Sequence, residues 1–140
     1  MNETITSVHN PRVKQLMKLQ GSSAERRAKG VFVVEGRREL DHCIEGGFTV
    51  QTLIVCTELN GQPLPDIAAE RMEVSAYVYS KIAYRGTTEG LMAVVEARHT
   101  RLDDLRFRHQ QPLLLVLESV EKPGNLGAVL RSADAAGADA

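Results

Sequence analysis

Short β-type apolar runs alternate with helix-type segments through the middle of this 140-residue chain, and glycines mark the joints. Val31-Phe32-Val33-Val34 has the pattern of a buried strand. Glu35-Gly36 then turns the chain into a helix with Leu40, Cys43 and Ile44 on one side. Gly46-Gly47 stops that helix, one of the pair left-handed. Val50 to Val55 reads as a second strand and Pro63 to Arg71 as a weaker helix. Val74, Ala76 and Val78 alternate as a third strand. Ser80 caps a short helix through Tyr84, Gly86 to Gly90 forms a loop, and Leu91 to Val95 makes a fourth strand. Such alternation argues a layered α/β domain over residues 28–97.

Ahead of these runs, Asn10-Pro11 has the form of a helix start. Asn can accept from free backbone N–H groups, and proline is pre-set at the first helical position. Val13, Leu16 and Met17 mark an apolar face, with Arg12, Lys14 and Lys18 facing elsewhere. Gly21-Ser22-Ser23 interrupts the helix, and Ala24 to Lys29 resumes it with Arg26 and Arg27 exposed. Residues 1–38 hold eight Lys/Arg against three Glu, while the rest of the chain is acidic and the net charge is -1. A basic end on a neutral chain is either an electrostatic footprint for nucleic acid or a solvated helix face.

Several classes drop out. Cys43 and Cys56 lack metal or redox spacing, which fits a reduced cytoplasmic compartment. His9, His42, His99 and His109 are too scattered for a metal site. No segment approaches the roughly 20 apolar residues of a membrane span. Aromatic residues are only 4% of the chain, so base stacking is not expected to dominate any nucleic-acid binding.

Residues 98–111 are charged and read as a linker with one helical turn. After them, Pro112 to Leu117 reads as a buried strand, followed by a Pro123-Gly124 turn and a small-residue helix opening at Asn125. Asn125 sits where an N-cap belongs, and Gly127 permits close approach. Arg131 lies nearly two turns on and can fold back toward the helix start. Glu118 stands at the strand's C-terminal end, the edge where open α/β sheets bind ligands. The plainer reading makes Asn125 an ordinary cap and Arg131 an ion-pair partner of Asp134. One β-α step cannot bury its own faces.

The stretch Leu113 to Gly137, with Asn125-Leu126-Gly127 and Arg131 at its centre, resembles the first signature of SpoU-type RNA ribose 2′-O-methyltransferases of the SPOUT superfamily. Asn10 to Lys14, Phe32 to Gly36 and Gly90 to Val95 resemble that family's substrate-binding domain. The resemblance implies a three-layer α/β/α RNA-binding domain over 1–97, similar to certain ribosomal proteins. A linker over 98–111 and the start of a knotted α/β methyltransferase domain over 112–140 would follow.

It also implies a reaction, transfer of a methyl group from S-adenosylmethionine to a ribose 2′-hydroxyl in rRNA or tRNA. Arg131 matches the family's catalytic arginine. An arginine is a poor base, so an electrostatic role toward the developing alkoxide suits it better. Asn125 would hold the site around it, and Glu118 takes the signature's acidic position. The two later signatures, which build the cofactor pocket and much of the family's homodimer surface, do not occur in this chain. The expectation is therefore a chain that neither binds the cofactor nor methylates RNA alone, with no metal and no membrane partner. Candidate RNA contacts are Arg12, Lys14, Arg26, Arg27, Arg37, Arg38, Lys81 and Arg85, since arginine's fork suits phosphate. A stand-alone RNA-binding module and a nucleotide-binding regulator using the Gly124–Gly127 turn remain as alternatives.

Overall fold

The computed structural model describes residues 3–84, 89–107 and 109–140. It divides into two compact units, Met1–Arg98 and His99–Ala140.

In the first unit, helix α1 spans Pro11–Gly21, with Asn10 as N-cap accepting from the Arg12 N–H at 2.9 Å. Its buried face is Val13, Leu16 and Leu19, whereas Met17 is exposed. Ser22 closes α1 and caps α2, Ser23–Lys29, by accepting from the Glu25 N–H. Left-handed Gly30 leads into β1, Val31–Glu35. Gly36, at φ 101°, opens α3, Arg37–Glu45. Gly47 is the left-handed member of the pair that follows. β2 spans Val50–Val55, β3 Glu70–Glu73, α4 Ala76–Ile82 and β4 Leu91–Glu96.

The strands form one mixed sheet in the order β1-β4-β2-β3. β4 pairs antiparallel with both β1 and β2, while β3 pairs parallel with β2. Alternate side chains feed two cores, as a strand's period of two requires. Ile54, Met72, Met92 and Val94 pack with α1 and α4 residues on one face. Leu53, Val55, Leu91, Ala93 and Val95 pack with Leu40 of α3 on the other.

Three expectations for the first unit are overturned. The third strand is not at Val74–Val78 but at β3, and residues 76–82 are helical. Ser75, not Ser80, is the cap, accepting from Val78 N–H at 3.3 Å. Helical spacing buries Val78, Tyr79 and Ile82 together, which a strand's alternation could not do. Likewise, Pro63 to Arg71 contains no helix. Pro65 lacks an N–H donor, and Leu64, Ile67 and Ala69 reach the α3-side core from irregular chain.

Among its described residues, the second unit has one 3-10 turn, Leu102–Asp104, and helix α5, Pro123–Ala135. Lys122 is the N-cap of α5 and Pro123 its first residue, so Asn125 lies inside the first turn and is not the cap. Leu113–Leu117 belongs to no strand. It makes two backbone bonds to the chain end, Asp139 N–H to Leu113 O and Leu115 N–H to Ala140 O, both 2.8 Å. Asp139 also accepts from Leu113 N–H and holds His109 Nδ1 at 2.9 Å. Leu113 to Leu117 are all exposed, because there is no sheet to cover them.

Candidate nucleic-acid interface

Several candidate residues gather where β1 ends, α3 begins and α4 ends. Gly36 is needed at the corner, since its φ of 101° is open to glycine alone without strain. The Gly36 N–H donates to Leu91 O at 3.0 Å, tying the turn to β4. Arg37, first in α3, presents a free helix-start N–H that the Glu89 carboxylate accepts at 2.6 Å. The Glu35 carboxylate accepts the backbone N–H of Tyr84 at 2.9 Å. Glu35 thus fastens Tyr84 to the end of β1, and Glu89 is fastened to the start of α3.

Beside this junction lies a cavity of about 650 Å³, lined by Arg26, Phe32, Glu35, Lys81, Ile82 and Tyr84 among others. It brings two of the candidate cations, Arg26 and Lys81, to one hollow. Lys81 Nζ also stands 5.7 Å from the centre of the Tyr77 ring. The Tyr84 side chain is 92% exposed. The sequence reading places Tyr84 at the end of a short helix opened by Ser80 and gives it no functional role, whereas α4 ends at Ile82.

The other basic candidates differ in how free they are. Arg26 is committed to the fold, its Nη1 donating to Leu19 O and Gln20 O at 2.7 and 3.0 Å. These carbonyls lie in the last turn of α1, which has no intrahelical donors for them. Arg37 pairs with Asp41 at 2.8 Å and also donates to Pro63 O. Arg12 pairs with Glu70 at 2.6 Å beside a second cavity, about 530 Å³, between α1 and the sheet. Lys14, Arg27 and Arg38 are exposed and make no ion pair or side-chain hydrogen bond among the described residues. Arg85 lies outside the described residues.

Beneath the junction, the Tyr79 hydroxyl is buried and donates to Leu91 O at 3.1 Å. Burial, and next the nearby Glu35 charge, push its pKa well above the ordinary tyrosine range. Burial also raises the Cys43 and Cys56 thiols, which are both free. Among the described residues no cluster of His, Cys, Asp and Glu could hold a metal ion, and no helix is long and apolar enough to cross a membrane.

In the second unit, Arg131 does fold back along α5. Its Nη1 lies 3.5 Å from where a Cβ on Gly127 would sit. No ion pair joins it to Asp134 among the described residues. Glu118 and Asn125 border an open hollow of about 330 Å³ with Ser119, which is left-handed at φ 53°. Apart from half-buried Val129, every residue lining it is exposed. A bound nucleoside needs walls that remove it from water, so the residues present do not fit S-adenosylmethionine.

Comparison with known proteins places the geometry. Residues 10–93 match the family model of the MRM3-like substrate binding domain. The 23S rRNA (guanosine-2'-O-)-methyltransferase RlmB of Pseudomonas syringae pv. tomato is 37% identical over 118 residues, which is 81% of this chain and 41% of that protein. The Bacillus subtilis 23S rRNA methyltransferase RlmP is 27% identical over 136 residues, 97% of this chain and 52% of its own. A crystal structure of an RNA 2'-O ribose methyltransferase superposes with TM-score 0.75 at 36% identity, covering 97% of this chain and 53% of that one. The SpoU methyltransferase AviRb of Streptomyces viridochromogenes, solved with AdoMet, gives 0.71 at 25% identity, covering 94% and 51%. The chain spans about half the length of these relatives, or less.

Proposed function

The chain belongs to the MRM3-like substrate-binding-domain family, found N-terminally in SpoU-type rRNA 2′-O-methyltransferases, and from that premise we propose that its first unit recognises ribosomal RNA for methylation of a ribose 2′-hydroxyl. The observation that carries this is the family match over residues 10–93, which covers α1 through the first half of β4. Exposed Lys14, Arg27 and Arg38, with Lys81, supply charge for phosphates. Arg12, Arg26 and Arg37 spend part of their donor capacity on the fold and retain the rest for contact. Residues 1–97 act as the RNA-binding domain, 98–111 as a linker and 112–140 as the opening of a methyltransferase domain.

Within that opening, Arg131 is the candidate catalytic group. A guanidinium placed beside the reacting hydroxyl would favour the alkoxide that develops as that hydroxyl is methylated. Asn125 and Glu118, which border one hollow, are the candidates for holding the nucleotide. S-adenosylmethionine supplies the methyl group in the complete protein, and this chain is not expected to bind it unaided.

The test pairs two titrations. Fluorescence anisotropy with fragments of 23S rRNA should give saturable binding that weakens steeply with salt, as released counterions demand. Calorimetry with S-adenosylmethionine should give no heat of binding. Absence of RNA binding at low salt would overturn the recognition reading. Stoichiometric cofactor binding would instead mean that these residues build the methyl-donor pocket.

A further inference from the structure

We propose that Tyr84 is the stacking platform for an unpaired base of the bound RNA; the proposal rests on the RNA-recognition reading above. Three observations converge on this ring. Its side chain is 92% exposed, whereas Tyr79 of the neighbouring helix is fully buried. Its backbone is anchored rather than free, because its N–H donates to Glu35 at 2.9 Å and the preceding Ala83 N–H donates to Tyr79 O at 2.9 Å. The ring therefore projects from a fixed point, which lowers the entropy lost when a partner orders it.

The third observation is what lies beside it. The cavity of about 650 Å³ has apolar walls from Phe32 and Ile82, cationic side chains at Lys81 and Arg26, and carboxylates at Glu35 and Glu39. An aromatic face beside a hollow of mixed apolar and polar lining suits a nucleotide, the base on the ring and the phosphate toward exposed Lys81, while the Glu35 carboxylate is turned to the Tyr84 N–H. A base inside an A-form helix offers no free face, so the ring selects RNA with an unpaired nucleotide over a continuous duplex.

The experiment uses a hairpin with 2-aminopurine in its loop and a fully paired duplex carrying the same number of phosphates. Wild type, Tyr84→Phe and Tyr84→Ala are titrated with both. Wild type and Tyr84→Phe should quench the 2-aminopurine. Tyr84→Ala should abolish the quenching and weaken hairpin binding about 5- to 100-fold, leaving duplex binding unchanged. Its thermal midpoint should match wild type, since the ring makes few contacts. Hairpin binding unchanged in Tyr84→Ala, with RNA still bound, would overturn the role of Tyr84 alone. Wild type that binds neither RNA would overturn the recognition reading and this proposal with it.

Discussion

Glu35 and Tyr84 are joined by a single bond, carboxylate to backbone N–H at 2.9 Å, across 49 residues of sequence. It ties the end of β1 to the chain just after α4. Replacing Glu35 with Ala should cost about 1 kcal/mol, the usual worth of such a bond at a partly exposed site. Glu35→Gln keeps an acceptor and should cost less. Both are read from urea unfolding midpoints.

Tyr79 gives a pH dependence with a definite sign. Its pKa in the folded protein is raised, so the native state holds the proton more tightly than the unfolded chain. The stabilisation is complete below the ordinary tyrosine value, about 10, and is lost as pH rises through the folded value. The raised thiols of Cys43 and Cys56 act in the same direction from about pH 8.5 upward. Tyr79→Phe should flatten the alkaline fall in stability while costing about 1 kcal/mol near neutrality. The cost stays small because Leu91 O keeps its bond from Gly36 N–H. A fall equally steep in the variant would refute the assignment.

Gly90 cannot carry a side chain. Its φ is +66°, and an added Cβ would sit 2.6 Å from Asn60 N and 2.7 Å from Cys56 O, both backbone atoms. Gly90→Ala combines a left-handed strain with an overlap that has nowhere to go, so a loss of about 3 kcal/mol or more is expected. Thermal unfolding by circular dichroism measures it.

Arg26 and Arg27 are adjacent but should separate cleanly. Arg26→Ala removes the donor to two α1 carbonyls and should lower stability by about 1–2 kcal/mol. Arg27→Ala should leave stability within about 0.5 kcal/mol. If Arg27 touches phosphate, its loss weakens different RNAs alike and lowers the salt slope by about one.

The exposed run Leu113 to Leu117 should promote self-association at high concentration, because an uncovered apolar segment with free backbone groups pairs readily. Sedimentation velocity should show it, and Leu114→Lys with Val116→Lys should suppress it.

Much of the first unit was legible because its residues obey local rules. Asn10-Pro11, the Gly46-Gly47 stop and the runs at β1, β2 and β4 each carry their signal within a few positions. The failures have physical causes. Val74 to Val78 alternate like a strand, but Ser75 can cap a helix, and burying Tyr79 with Val78 and Ile82 outweighs β propensity. β3, with Glu70, Arg71 and Glu73, has no apolar period because it is an edge strand that buries Met72 alone. Near Asn125, the proline two residues before it was the better marker of the helix start. As for the candidate interface, chain composition identified the basic residues. Which of them the fold already uses depends on partners as distant as Glu70 for Arg12, and no local pattern reveals that.

The strand order has a consequence for how the molecule comes into being. β4 is the last of the four sheet strands along the chain, yet it lies between β1 and β2 and pairs with both. Until residues 91–96 have left the ribosome, β1 has no sheet partner and β2 can pair only with β3. Folding of the first unit therefore waits for β4 and is dominated by distant pairings, which favours slow closure. A nascent chain arrested before Leu91 would expose two apolar strands, making that stage of synthesis the one at which a chaperone matters most.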